Sequence, residues 1–260
     1  MIQTEHPPAA TVLEVRDVTK LYGGLRAVDG LSFSVAAGEV LGIAGPNGAG
    51  KTTLFDTITG HTIASSGEIE LEGQPIRGTK IHHRCRLGLA RTFQQPAAAE
   101  TLTALENAYL AASFRRGRST GGLRSRSGDV ARGMAALELV GLQDRASTIA
   151  SRLPVYDRKR LMIATALATE PLVLLLDEPF GGLNPAEIDA TIALLRRVGG
   201  TGVAIVCIEH VMRALVALAD RVLVMHHGAQ LFIGTPAEMM RDQRVIDVYL
   251  GQREDEEAGG

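Results

Sequence analysis

The sequence predicts an α/β fold: a buried parallel sheet flanked by helices, a small antiparallel β subdomain, and an α-helical subdomain inserted part-way along. Three observations predict it. The aliphatic runs Val40–Ala44, Leu172–Leu176 and Val203–Ile208 have the composition of parallel strands covered on both faces. The runs Leu13–Val18, Leu31–Val35 and Glu68–Leu71 alternate apolar and polar residues, as strands with one exposed face do. Between about residues 82 and 170 the pattern turns helical, with periodic stretches at Thr101–Ser113 and Val130–Val140 and no convincing strand.

Taken in order, residues 1–11 read as a flexible tail carrying Pro7-Pro8, and residues 12–251 as one domain. Tyr22-Gly23-Gly24 is a turn that carries an aromatic ring, and the second strand ends at Ala37-Gly38-Glu39. The buried run Val40–Ala44 leads into Gly45-Pro46-Asn47-Gly48-Ala49-Gly50-Lys51-Thr52-Thr53, which fits G-x-x-x-x-G-K-[ST] at every fixed position. The helix that opens at Thr52 closes near Gly60. A glycine-rich turn matching by chance would lack this strand and helix. The residue types follow from phosphate chemistry. Side chains at Gly48 and Gly50 would block a backbone wrapping an anion, and the helix start offers free N–H groups and the positive end of its dipole. Lys51 can reach the β- and γ-phosphates, and the Thr52 hydroxyl can ligate Mg²⁺.

Within the helical stretch, Arg115, Arg116, Arg118, Arg124 and Arg126 sit among Gly, Ser and Thr, the composition of a flexible basic loop. A solvated loop is the default; contact with an anion or a membrane surface is the alternative. From Pro171 the parallel pattern returns. Leu172–Leu176 ends at Asp177-Glu178-Pro179, and a helix from Pro185 to Val198 is started by Asn184 and Pro185. Val203–Ile208 ends at Glu209-His210. Two short strands follow, Arg221–Met225 and Gln230–Ile233, then a capped helix start at Thr235-Pro236-Ala237-Glu238 and an acidic tail over 252–260.

The totals narrow the function. The 260 residues are 45% hydrophobic, enough for a sizeable core, but only 4% aromatic and without Trp, so that core is aliphatic. A net charge of −2 gives no argument for nucleic acid as a partner. Cys85 and Cys207 form no metal or redox spacing, and Cys207 reads as a buried thiol in a reducing, cytoplasmic setting. No stretch approaches the roughly 20 apolar residues that span a bilayer, and Met1–Ala10 lacks a signal-peptide pattern.

The acids at 177 and 178 close a buried strand, and ligands of open α/β sheets bind beyond the carboxyl ends of strands. Asp177 can hold Mg²⁺, and Glu178 can polarise a water for in-line attack on a γ-phosphate. His210 also follows a buried strand. It can reach the same phosphate, cap the next helix or face solvent. Gln94 carries no signal of its own.

Together these residues resemble the ATP-binding cassette (ABC) ATPases over about residues 12–251. Gly45–Thr53 is similar to the family's Walker A loop and Leu172–Glu178 to its Walker B strand with the catalytic glutamate. The resemblance implies a P-loop NTPase (RecA-like) core, ATP and Mg²⁺ as cofactors, and roles at further positions. Tyr22 would stack on adenine, Val28 would contact the nucleotide, Gln94 would sense Mg²⁺ and the membrane partner, and His210 would contact the γ-phosphate. The phrases Gly88–Gln94, Gly182-Leu183-Asn184-Pro185, Ile208–Met212, Gly234-Thr235-Pro236 and Tyr249-Leu250-Gly251 are similar to ATPase subunits of branched-chain amino acid importers.

One departure from the family is plain. Its signature L-S-G-G-Q is replaced by Leu153-Pro154-Val155-Tyr156-Asp157, followed by Arg158-Lys159-Arg160. The serine hydroxyl and both glycines are gone, and Pro154 has no N–H. In the family this motif completes the partner's site across a dimer interface. The departure suits a heterodimer with one strong and one weak site, although Val155 and Tyr156 can equally preserve backbone contacts. The expectation is an ATPase subunit that powers import of a small solute, and the resemblance of these phrases implies a branched-chain amino acid. It would sit on the cytoplasmic side of the membrane, peripheral through permease subunits, paired with a second cassette and served by an extracytoplasmic solute-binding protein. The alternatives are a weakly hydrolysing nucleotide-binding subunit of a heterodimeric system and a soluble, non-transport cassette protein; a phosphate-loop kinase fits less well, because nothing after Glu178 resembles an acceptor lid.

Overall fold

A computed structural model of the chain describes residues 10–92, 99–115 and 124–249. Its strands are β1 (Thr11–Tyr22), β2 (Leu25–Ala36), β3 (Val40–Ala44), β4 (Ser66–Leu71), β5 (Gln74–Pro75), β6 (Leu89–Arg91), β7 (Val173–Asp177), β8 (Ala204–Ile208), β9 (Arg221–His226) and β10 (Ala229–Gly234). Its helices are α1 (Lys51–Thr59), α2 (Ile81–Leu87), α3 (Ala104–Arg115), α4 (Arg124–Leu139), α5 (Val155–Leu167), α6 (Pro185–Gly199), α7 (Met212–Leu218) and α8 (Pro236–Met239). The strands form two sheets, one of four in the order β2-β1-β4-β5 and one of six in the order β10-β9-β3-β8-β7-β6.

The six-stranded sheet is parallel except for β10. Strands β3 and β8 are buried throughout, and β7 is buried up to Asp177, which is why they read as unbroken aliphatic runs. Their side chains alternate between two cores. Val173, Leu175, Val206 and Ile208 face one core, shared with α1 and the antiparallel sheet. Leu174, Leu176, Ile205 and Cys207 face the other, shared with α6, α7 and the helical lobe. The lobe packs on small residues: Ala104, Ala108 and Ala112 of α3 against Leu137 of α4 and Leu161 of α5. Among the described residues, no helix is long and apolar enough to cross a membrane.

Two elements differ from the sequence reading. Leu89–Arg91, inside the stretch expected to be purely helical, is β6, the edge strand of the parallel sheet. Three residues show no periodicity; pairing with β7 makes this strand. The arginine-rich segment is not all loop either, since α3 ends at Arg115 and α4 begins at Arg124; residues 116–123 lie outside the described residues.

Candidate functional site

The parallel register levels the strand ends. Ile43 of β3 pairs with Ile208 of β8, and Ile208 pairs with Asp177 of β7. The three connections that follow, Gly45 onward, Glu178 onward and Glu209-His210, therefore leave the sheet side by side. The Glu178 N–H donates to the Ile208 carbonyl at 3.0 Å, joining two of them. Glu178 itself has a positive φ of 49°, an uncommon conformation for a non-glycine residue.

The loop Gly45–Gly50 runs from β3 into α1. Gly50 has φ 97°, and a Cβ there would collide with the Ala27 carbonyl oxygen of β2, so packing as well as conformation demands glycine. At Gly48 a Cβ would meet nothing within 4 Å; its φ of 78° is what favours glycine there. Helix α1 opens on Gly50 with no side-chain cap and no acid in its first turn. The N–H groups of Lys51, Thr52 and Thr53 thus have no intrahelical acceptor and face outward with the dipole's positive end. The Lys51 ammonium donates to the carbonyls of Gly45 at 2.6 Å and Pro46 at 2.8 Å. Burial lowers its pKa, and the charges of Glu178 and Asp177 oppose that shift.

A cleft of about 400 Å³ is lined by Tyr22, Leu25, Arg26, Ala27, Asn47–Thr53, Glu178, Ile208 and His227. Tyr22 is 49% exposed at its rim, and the Lys20 ammonium lies 4.8 Å from the ring centroid. Glu178 Oε1 lies 3.7 Å from Nδ1 of the exposed His210. Asp177 sits behind, held by Arg91. The structure thus brings Tyr22, Asn47, Gly48, Ala49, Gly50, Lys51, Thr52, Thr53 and Glu178 to one cleft, with Gly45 and Pro46 at its base and His210 beside Glu178. Val28 is different: its side chain is fully buried in the core, and strand alternation turns the neighbouring Ala27 to the cleft instead. Gln94 lies outside the described residues.

Sequence reasoning missed four residues around this cleft. His227 lines it from the turn after β9, with nothing in the sequence to mark it. Lys159 of α5 donates to the Glu178 and Pro179 carbonyls at 3.4 and 3.2 Å, tying the lobe to the Walker B turn. The Glu209 carboxyl is buried, with its pKa raised to about 7 by burial and by the charge of Glu178. Lys159 and the backbone N–H groups of Val211 and His210 oppose that rise, but those N–H groups close no hydrogen bond of good geometry. Arg91, inside the phrase Gly88–Gln94, touches two acids, Asp56 and Asp177.

The replaced signature stretch starts α5. Pro154 is the N-cap residue, and Val155 is 54% exposed at the helix start. Tyr156 lies under the Arg160 guanidinium, 4.6 Å from its ring centroid. Asp157 is buried and ion-paired to Arg145 and Arg160. It holds the lobe together and offers no donor to a neighbour.

A strand, a phosphate-binding loop and a helix, with an acidic pair closing a parallel neighbour, define a nucleotide-binding α/β protein of the P-loop class. Comparison with known proteins narrows this. The model of the ABC transporter family matches residues 28–181, and that of the branched-chain amino acid ATP-binding cassette transporter matches residues 231–255. The chain belongs to the ABC transporter ATPase family. It is 37% identical over 93% of its length, and 98% of the relative's, to the high-affinity branched-chain amino acid transport ATP-binding protein BraF of Pseudomonas aeruginosa. It is 36% identical to LivG, described in the same words, of Escherichia coli, over 93% and 98% of the two chains. It is also 30% identical to the lipopolysaccharide export ATP-binding protein LptB of Escherichia coli, over 92% and 97%. An ABC transporter cassette solved in its ADP conformation superposes with a TM-score of 0.83 at 28% identity, covering 94% of this chain and all of that one.

Proposed function

We propose that this chain is the motor subunit of an importer, binding ATP with Mg²⁺ in the cleft beside Lys51 and hydrolysing it to drive uptake of branched-chain amino acids. The observation that carries the reading is the meeting, in one cleft, of the Lys51 loop with Glu178 from the end of a second strand, and His210 from the end of a third lying 3.7 Å from Glu178. Each residue has a task there. The N–H groups of the first turn of α1 and the Lys51 ammonium hold the phosphates; Tyr22 offers an exposed ring face to the base. Thr52 and Asp177 are hard oxygen donors of the kind Mg²⁺ takes alongside nucleotide phosphates, so the residues present fit the ion. When bound, that ion would neutralise charge on the phosphates. Glu178 would accept a hydrogen bond from the attacking water, and His210 would donate to the γ-phosphate.

Partners follow from what the chain supplies. A groove of about 480 Å³ between core and lobe is lined by Ile81, Leu89, Ala111, Phe114, Met162 and Ala166, among others. Ile81 and Phe114 are 45% and 48% exposed. An apolar groove of this size fits a short amphipathic helix of a permease subunit. That docking would place the chain on the cytoplasmic face of the membrane, with solute delivered outside by a separate binding protein. ATP would lie between two cassettes. Since the helix start at Pro154–Asp157 lacks the serine hydroxyl and both glycines of the family signature, the second cassette would be a different chain whose own site this one completes weakly.

Glu178→Gln tests the core of the reading. The variant is expected to bind ATP as wild type does, to lose at least a hundredfold in turnover (about 3 kcal/mol of barrier), and to accumulate the ATP-loaded complex with its partners. Turnover within threefold of wild type would sink the assignment of Glu178.

A further inference from the structure

Arg91 ends β6, and its side chain is 6% exposed. Its Nη1 donates to Asp56 Oδ1 at 2.6 Å and its Nη2 to Asp177 Oδ2 at 2.8 Å. Asp56 lies on α1, four residues past Thr52, so the two share a helix face. Asp177 closes β7, the strand paired with β6. One planar cation thus ties the phosphate-loop helix to the acid at the end of the Walker B strand. The Phe55 ring, with its centroid 5.4 Å from Arg91 Cζ, flanks the guanidinium. Only arginine has a rigid fork that serves two separate acids at once; a lysine ammonium is a single point charge.

Arg91 engages Oδ2 and leaves Oδ1 as the other acceptor of Asp177. A carboxylate fixed through one oxygen has lost the rotamer freedom it would otherwise surrender on binding a cation. We infer that Arg91, braced by Asp56, is a positioning residue for the divalent cation: it holds the Asp177 carboxylate so that the remaining oxygen is presented to a metal arriving with the nucleotide. The inference rests on Asp177 as the metal-holding acid in the proposed function. It makes the metal requirement, rather than nucleotide contact, the property that Arg91 controls.

The test uses the full chain and a fluorescent ATP analogue. Binding is measured in EDTA, then as a function of Mg²⁺, for wild type, Arg91→Lys and Asp56→Asn, with thermal unfolding alongside. The expected result is nucleotide affinity in EDTA within twofold of wild type for both variants. The Mg²⁺ concentration at half effect should rise about tenfold in Arg91→Lys, the equivalent of one well-made contact, and to a smaller extent in Asp56→Asn. An unchanged Mg²⁺ dependence with only a lower unfolding temperature would overturn the inference and leave Arg91 a strut. So would an affinity loss equal with and without Mg²⁺, which would mean a distorted phosphate loop. Should Arg91→Lys not fold, Asp56→Asn decides between the same outcomes. A wild type whose ATP binding ignores Mg²⁺ would sink the role given to Asp177 itself, and is thereby distinct from failure of the variants alone.

Discussion

At the Glu209 carboxyl, burial and charge act in one direction. The residue is 1% exposed, and the nearby Glu178 charge adds to the cost of ionising it, which lifts its pKa from an ordinary 4.5 to about 7 against the pull of Lys159. The folded chain thus holds this proton more tightly than the unfolded chain. Its contribution to stability is fully present below pH 4.5 and is lost as pH rises through 7. Glu209→Gln is neutral at every pH and close in shape. Urea unfolding should find it near wild type at pH 5 and more stable at pH 8, by roughly 3 kcal/mol for a shift of this size. An equal difference at both pH values would show that ionisation is not the cause. The Cys207 thiol, two residues back along the chain, is fully buried with its pKa pushed up by burial, and stays a packing residue.

Among the elements, α6 shows what local sequence can do alone. The Asn184 side chain accepts the Glu187 N–H at 3.0 Å, and the Glu187 carboxylate accepts the Asn184 N–H at 3.0 Å, with Pro185 opening the helix. This reciprocal cap anchors the far end of the turn that starts at Glu178. Asn184→Ala should cost about 1 kcal/mol in denaturant unfolding, and a loss below a few tenths would mean that packing of Leu194, Leu195 and Val198 sets this helix start without help. Asn184 and Pro185 were legible as a start because capping chemistry is local. The β6 strand was not, because its three residues are ordered by pairing with Val173, Leu174 and Leu175 of β7, more than eighty positions away.

As a whole, the molecule is unequal in what it keeps for its own site and what it offers to a partner's. The chain has its own Lys51, Asp177 and Glu178, while the helix start at Pro154–Asp157 lacks a serine and both glycines and spends Asp157 on Arg145 and Arg160. In the assembled transporter, inactivating this chain's Glu178 and the partner's equivalent in turn should reduce ATPase activity unequally. The larger loss is expected when this chain's own site is disabled, since in the proposed heterodimer that site would be completed by the partner's signature. Equal losses would show that backbone N–H groups from Val155 onward suffice, and that the two sites are equivalent.

The sequence by itself determined the α/β class, the phosphate loop from Gly45 to Thr53, the acids at the end of β7 and the capped helix starts. Each of these depends on residues close together in the chain, where spacing and side-chain chemistry carry the information. Tertiary structure decided which of them meet. Register between parallel strands set Glu178 beside His210; strand alternation turned Ala27 rather than Val28 to the cleft. Arg91 came to bridge Asp56 and Asp177, each separated from it by dozens of residues. Those contacts arise from burying two faces of one sheet at once, a constraint that acts on distant residues together and leaves no local pattern to read.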